Sequence, residues 1–396
     1  MQPRDLPVAN VNTSQQRLAS LDAMRGFVMF LLLGGGEIGH AGFLSALFAA
    51  IDQPWAQTLY HQLQYSGWGD AFHVKDLIRP LFIFVVGVAM PYSFGKRLSL
   101  GHSMRKIHAH VLQRVAILFL LGTIAGGHLL ALDRSKFYLV NNVLQEIAIG
   151  YLVASLLLLN FRVRGQLAAL AALLLGYWAL IMLVPVPGHG AGIITPEVNL
   201  PRYVDDLVLG SLRPVKWSFT WTLSLPLASS CIVLLGALGG QVLKSAQRAW
   251  AKLAWLVFGA LSCLVLGLVW SRWYPIVVGI TTGSWVLIVG AVGLGLLALF
   301  YLVTDVWGFR KSAFFFVVIG SNSIAVYMAA HLFDFRNIGN IFVKGWTTNH
   351  YVGVNDGVCG WIGPGPWSNF VEALAAFVVI WLIMLWMYRT KTFIKV

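Results

Sequence analysis

Charge is what this chain has least of. Only 11% of its 396 residues are Asp, Glu, Lys or Arg, and 58% are hydrophobic, whereas a soluble domain carries roughly 25% charged residues. That scarcity excludes a water-soluble globular fold and points to a polytopic membrane protein. Acid is scarcer than base, with fifteen Asp and Glu against twenty-eight Lys and Arg. The resulting charge of +13 would suggest nucleic acid in a soluble protein. Here it is read as the Lys/Arg excess of cytoplasmic loops, with no nucleic-acid partner. Cysteine is also scarce. Cys231, Cys263 and Cys359 are odd in number and two lie in apolar runs, so no disulfide framework is expected. There is no Walker, Gly-x-Gly-x-x-Gly or Gly-x-Ser-x-Gly pattern, no convincing metal-ligand spacing, no internal repeat and no low-complexity tract. The first seventeen residues are polar and contain no signal-peptide core.

What is abundant is the long apolar run. A helix needs about 20 apolar residues to cross the hydrocarbon, and ten stretches qualify: 24–46, 77–95, 111–132, 143–160, 165–186, 221–241, 253–270, 282–304, 313–332 and 368–388. The expected fold is all-α, because lipid admits only helices and closed barrels and these runs are too long for barrel strands. Residues 1–20 are expected to form a cytoplasmic N-terminal segment, and 21–396 a single transmembrane domain. With the N-terminus inside, eighteen Lys and Arg fall in cytoplasmic segments and nine in outer loops, so both termini are placed in the cytoplasm.

The polar residues inside or beside these runs are the candidates for chemistry. At the start of the second run, His73, Lys75, Asp76, Arg79 and Pro80 crowd a junction between polar and apolar sequence. Asp76 and Arg79 share a helix face and would pair with each other or with a ligand; the alternative is a helix-end pair that snorkels. Asp22 and Arg25 open the first helix at the same spacing, as a local pair or with Arg25 receiving a phosphate or carboxylate. Gly34-Gly35-Gly36 interrupts that helix, which leaves Glu37 deep, paired or facing water, with His40 beyond it. Asn142, Gln145 and Glu146 open the fourth run, and Ser321-Asn322-Ser323 lies inside the ninth, where interhelical hydrogen bonding is the plainer reading. The outer segments 47–76, 187–220 and 333–367 are rich in Gly, Pro, Trp and Asn. Their Trp residues read as an interfacial belt or as a floor for a sugar ring.

Arg17-Leu-Ala-Ser-Leu-Asp22-Ala-Met-Arg25-Gly26, Asp76-Leu-Ile-Arg-Pro80-Leu-Phe-Ile-Phe-Val-Val-Gly87, Asn142-Val-Leu-Gln145 and Gly320-Ser-Asn322-Ser323-Ile occur in that order. Together they resemble the heparan-alpha-glucosaminide N-acetyltransferase family and its bacterial relatives. The resemblance implies a multi-pass inner-membrane acyltransferase that moves an acetyl group from cytoplasmic acetyl-CoA to a saccharide on the outer side, without a metal. CoA, the acceptor saccharide and the bilayer would then be its partners, and a homodimer its assembly. Asp22, Arg25, Arg79, Asn142, Gln145, Asn322 and Ser323 would hold the donor. The family's proposed catalytic His precedes the Trp that matches Trp68, and counting places Tyr65 or Ser66 there; the family's polar residue late in the first helix matches Gly36. The substitutes at hand are His61, four residues before Tyr65, with Glu37 as its orienter and His73 as runner-up; Tyr65 and Asp76 complete the candidate site. The competing function is a transporter or flippase on the same fold whose acyltransferase site has decayed.

The sidedness is testable directly. Cysteine labelling at positions 103 and 205 should report opposite faces of the membrane; the same face at both would mean that the span count is wrong.

Overall fold

The computed structural model describes residues 19–36, 42–66, 68, 72–126, 129, 138–212, 219–344 and 358–394. Among them there is no strand, only two isolated bridges, Val186 with Gly190 and Ile194 with Asn199. The protein is all-α and polytopic: eight helices are long and apolar enough to cross a membrane, and a ninth crossing is available if one bent pair counts as a span. These residues pack as two compact units. One is built mainly from Pro80–Arg310; the other takes the described parts of Asp22–Gly67, Phe72–Arg79 and Lys311–Val396.

In the first unit lie most of α4 (Val74–Ser99), then α5 (Met104–Ala125), α6 (Val143–Asn160), α7 (Val163–Leu183), the short α8 (Leu200–Val208), α9 (Ser230–Lys244), α10 (Ala249–Trp270) and α11 (Gly283–Tyr301). A π-helical turn, Leu225–Ser229, leads into α9, and another, Leu302–Val306, extends α11. Of the apolar window of α4, and of the Leu225–Lys244 span, 72% is buried, against 22% for α5 and α10. The first two are therefore the inner helices. They meet backbone to backbone. A methyl group added at Gly87 would sit 2.0 Å from Val233 O, one at Gly236 would sit 2.1 Å from Phe84 O, and one at Gly240 2.3 Å from Val88 O. In lipid no hydrophobic effect draws helices together, so close van der Waals approach over small residues must do it. The outer helix α10 leaves Trp250, Trp255, Phe258, Leu261 and Val265 exposed, as a lipid-facing surface should.

The second unit contains most of α1 (Ala19–Gly34), α2 (Phe43–Ala50), α3 (Pro54–Gln62), the first turns of α4, and α12 (Phe314–Ser321), α13 (Ser323–Leu332), α14 (Phe335–Val343), α15 (Val358–Ile362) and α16 (Pro366–Arg389). Glycine again sets the closest crossing. A methyl at Gly26 would lie 1.8 Å from Phe316 O, and one at Gly320 would lie 1.9 Å from Asp22 O, so α1 and α12 touch through their main chains. Around that crossing Phe30 packs edge-on against Phe43, Phe315, Phe316 and Phe377 at 5.7 Å.

Three sequence expectations change. The first span, read as 24–46, is not continuous. Gly34-Gly35-Gly36 ends α1 after 16 residues, with Gly36 at a φ of 79° that only glycine adopts freely. At 1.5 Å per residue α1 is about 24 Å long, short of the ~30 Å hydrocarbon layer. The ninth run, 313–332, is bent by 69° between α12 and α13. The third span runs from Met104 to Ala125 and not from 111 to 132, so Arg114, near the start of the expected run, stands at the middle of the helix.

The α4–α9 contact makes a paired prediction. Gly236→Ala places a methyl against a main-chain carbonyl and should destabilise by about 1–3 kcal/mol, read as a lower thermal midpoint in detergent. Gly295→Ala in α11, where an added methyl meets nothing within 4 Å, should leave the midpoint unchanged or raise it.

Candidate active site at the start of α4

Four of the five expected catalytic residues, His61, Tyr65, His73 and Asp76, lie where α3 hands over to α4. Pro54 at the first turn of α3 has its φ preset for helix and no N–H to waste. The helix stops at Gln62, and residues 63–66 turn back toward the start of α4. Three hydrogen bonds strap that turn down. Val74 N donates to Gln62 Oε1 at 3.2 Å, Ser66 N donates to Asp76 Oδ2 at 3.3 Å, and His73 Nδ1 lies 3.0 Å from Gln64 O. Lys75 Nζ adds a cation–π contact, 4.8 Å from the centre of the Tyr65 ring.

Asp76 is 3% exposed and works for the backbone. Its Oδ2 also accepts the His73 N–H at 2.8 Å, while Asp76 N donates to His73 O at 3.1 Å. This is the carboxylate half of a capping box: an acid at the third helical position satisfies an orphan N–H and favours the positive helix end. The carboxylate oxygen that could have met Arg79 accepts two backbone N–H groups, those of Ser66 and His73.

His73 is the residue this arrangement orients. A carbonyl oxygen only accepts, so the hydrogen of the contact with Gln64 sits on Nδ1. Nε2 is thereby left with the lone pair, the tautomer a general base needs. His61 is exposed; its ring stands edge-on to His73, with centroids 5.5 Å apart. Tyr65 is 42% exposed, with its ring engaged by Lys75. Glu37, the expected orienter of His61, lies outside the described residues.

The residues expected to hold a donor fall in both units: Asp22, Arg25, Arg79, Asn322 and Ser323 in the second, Asn142 and Gln145 in the first. Asp22 and Arg25 form their local pair, 3.7 Å apart, on α1. Asn142 is the N-cap of α6, its Oδ1 accepting Leu144 N at 2.9 Å. Gln145 is fully buried: Oε1 accepts Asn141 N at 3.0 Å, and Nε2 donates to Thr123 Oγ1 at 3.1 Å and Leu139 O at 2.8 Å. Its amide pins the α5–α6 hairpin. Asn322, at the bend between α12 and α13, gives both ends of its amide to the C-terminal tail, donating to Thr392 O and accepting from Ile394 N, each at 3.0 Å. Ser323 is buried at the start of α13. For Asn142, Gln145 and Asn322 a polar residue at depth is explained by backbone that the fold leaves unpaired.

Other buried polar groups are outside the expected set. Ser229 Oγ, in the π-helical turn before α9, donates to Glu146 Oε1 at 2.6 Å; the signal was Glu146 itself, a carboxylate inside an apolar run. Asp205 is fully buried and accepts the N–H groups of Trp221 and Thr222 at 2.8 and 2.7 Å, so Leu207, 72% exposed, is the better labelling position in that segment. Glu372 on α16 holds Lys344 Nζ at 2.9 Å and Arg336 at 3.1 Å. Of the outer aromatics, Trp361, Trp273, Trp55 and Trp367 are exposed while Trp221 is core; Trp68 donates to Ile194 O at 3.4 Å. Among the described residues no three His, Cys, Asp or Glu side chains come together as metal ligands, and the three cysteines are free and buried.

No family model matches this chain, and no curated protein is significantly similar to it.

The capping assignment of Asp76 separates two substitutions. Asp76→Ala should cost about 0.5–2 kcal/mol of stability by removing the cap. Asp76→Asn keeps an accepting oxygen and should retain most of that stability. An equal loss in both would mean that the negative charge, and not the cap, is what matters.

Proposed function

We propose that this protein is a transmembrane acyltransferase, in an inner or plasma membrane with both termini cytoplasmic, that transfers an acetyl group from cytoplasmic acetyl-CoA to an amino sugar or other saccharide on the outer side. The observation that carries the reading is the orientation of His73. A histidine held at a helix start by a backbone carbonyl on Nδ1, with Nε2 left basic, is what deprotonation of an acceptor requires. The acceptor amine or hydroxyl attacks the thioester carbonyl and gives its proton to His73 Nε2. The new N–C or O–C bond forms, the C–S bond breaks, and the proton passes from the imidazolium to the departing CoA thiolate. His61, 5.5 Å away ring to ring, is a second imidazole beside the base. Asp76 contributes by fixing the backbone of His73, and Tyr65 with Lys75 borders the same turn.

A second reading is a transporter or flippase on this scaffold. It is favoured by the 69° break between α12 and α13, since broken membrane helices expose backbone groups that bind cargo.

The deciding assay uses purified protein, radiolabelled acetyl-CoA and a panel of hexosamines. His73→Ala should lower transfer by roughly 10²–10⁴-fold, with a smaller loss in His61→Ala. Tyr65→His should raise the rate if that position is the ancestral base. Wild-type protein that transfers to no acceptor would favour the transporter reading.

A further inference from the structure

From Pro80 to Leu132 the chain contains no Asp or Glu, yet it carries Lys96, Arg97, Arg105, Lys106 and Arg114. Arg114 is the eleventh of the 22 residues of α5, the middle of a span. Its guanidinium lies over the ring of Tyr151 on α6, 4.7 Å from the centroid. A cation at that depth is expensive without a counter-charge, and those that persist mark ligand or ion paths. Neither Arg114 nor Arg97 takes part in the ion pairs formed among the described residues.

The groups beside Arg114 repeat the imbalance. His110 lies one turn before it on α5, and Arg97, two residues from the end of α4, donates to His110 Nε2. Arg114 Nε, Tyr151 Oη and His102 Nδ1 are buried and have no hydrogen-bond partner; His102 follows Arg97 around the α4–α5 turn, its N–H on Arg97 O at 3.1 Å. The inventory is rich in donors: two guanidinium forks and a phenol, beside imidazoles of which His110 accepts from Arg97, with no carboxylate among them. Buried donors with no acceptor are costly. The ligand that suits them is acceptor-only, anionic and able to take a guanidinium fork on two oxygens.

We propose that the face of α5 between Arg97 and Arg114, with Tyr151 behind it, is a binding site for a phosphate-bearing ligand. Its phosphate oxygens take the Arg114 fork, with Tyr151 and Arg97 as further donors. The phosphate has two possible sources, a soluble phosphate ester or diphosphate such as CoA, and the headgroup of an anionic phospholipid. The site does not depend on the acyl-transfer reading: it serves a CoA donor, and it equally serves a phospholipid carried by a transporter.

The test uses the full chain, purified and delipidated in a maltoside detergent, which has no phosphate of its own. One arm titrates CoA and inorganic pyrophosphate by calorimetry. The other adds phosphatidylglycerol and follows the thermal midpoint and native mass spectrum. Wild type should bind in at least one arm, and the arm that responds identifies the source. Arg114→Gln and Arg97→Gln should each weaken that binding about 10- to 100-fold, the size of a charge-assisted hydrogen bond. Arg162→Gln, an exposed cation at the α6–α7 turn, should bind like wild type, and so should His73→Ala, which keeps this outcome separate from failure of the catalytic proposal. Arg114→Lys retains the charge for folding and loses the fork, so it should fold and bind weakly. Wild type that binds in neither arm overturns the site. So does undiminished binding in the folded Arg97→Gln and Arg114→Lys proteins, which would leave Arg114 balanced by Tyr151 alone.

Discussion

Direct contact between helix backbones at glycine is the constraint on which both units depend. In water, side chains would be drawn together by the hydrophobic effect; among lipid tails that force is absent, and helices associate only where surfaces fit closely. Gly87, Gly236 and Gly240 let α4 and α9 approach until a methyl group would collide with a carbonyl, and Gly26 and Gly320 do the same for α1 and α12. Each seam involves reciprocal positions, glycine of one helix against carbonyl of the other, so it fixes register as well as distance. The position of α4 matters most for chemistry. The helix that makes the tightest backbone contact of the first unit also carries Asp76 in its first turn, with His73 just before it.

A second rule governs the polar residues at depth. Most of them serve the backbone. Asp76 caps α4, Asn142 caps α6, Gln145 closes the α5–α6 hairpin, Asp205 holds two N–H groups and Asn322 clamps the tail. In hydrocarbon an unpaired N–H or C=O costs several kcal/mol, so any helix end or bend near the membrane needs a polar side chain to finish it. Two places escape this account. At His73 the backbone does the orienting and the side chain is what is oriented. At Arg114 the donors outnumber the acceptors. Those are the two places where a ligand is proposed.

The fold class was legible because hydrocarbon imposes it: scarce charge and long apolar runs leave little but helices, and eight runs became unbroken spans. The exceptions have local causes. The run 24–46 reads as one span by hydropathy, but three consecutive glycines release the helix. The run 313–332 reads as straight, but Asn322 turns its amide to the tail and the helix bends there. Arg114 reads as lying at the cytoplasmic end of the run 111–132, but the helix begins at Met104 and runs through it. The Gly236–Gly240 spacing is a helix-packing signal already present in the sequence. The site was half legible. Spacing placed His61 and Tyr65 on one face of a helix and favoured His61. Only the fold brings Gln64 O to His73, because that contact depends on the reversal of the chain at 63–66 and not on periodicity.

The account turns on one atom, Nε2 of His73, being the unprotonated nitrogen of a neutral ring. Nitrogen-15 NMR of histidine-labelled protein measures this directly, with the His73 signals assigned by their loss in His73→Gln. At a pH where the ring is neutral, Nδ1 should give the shift of a protonated nitrogen and Nε2 that of a bare one, and substitutions that disrupt the 63–66 turn should mix the two tautomers. A pure Nε2–H tautomer in the wild type would contradict the account, because the contact with Gln64 O would then be absent and nothing in the junction would present a base.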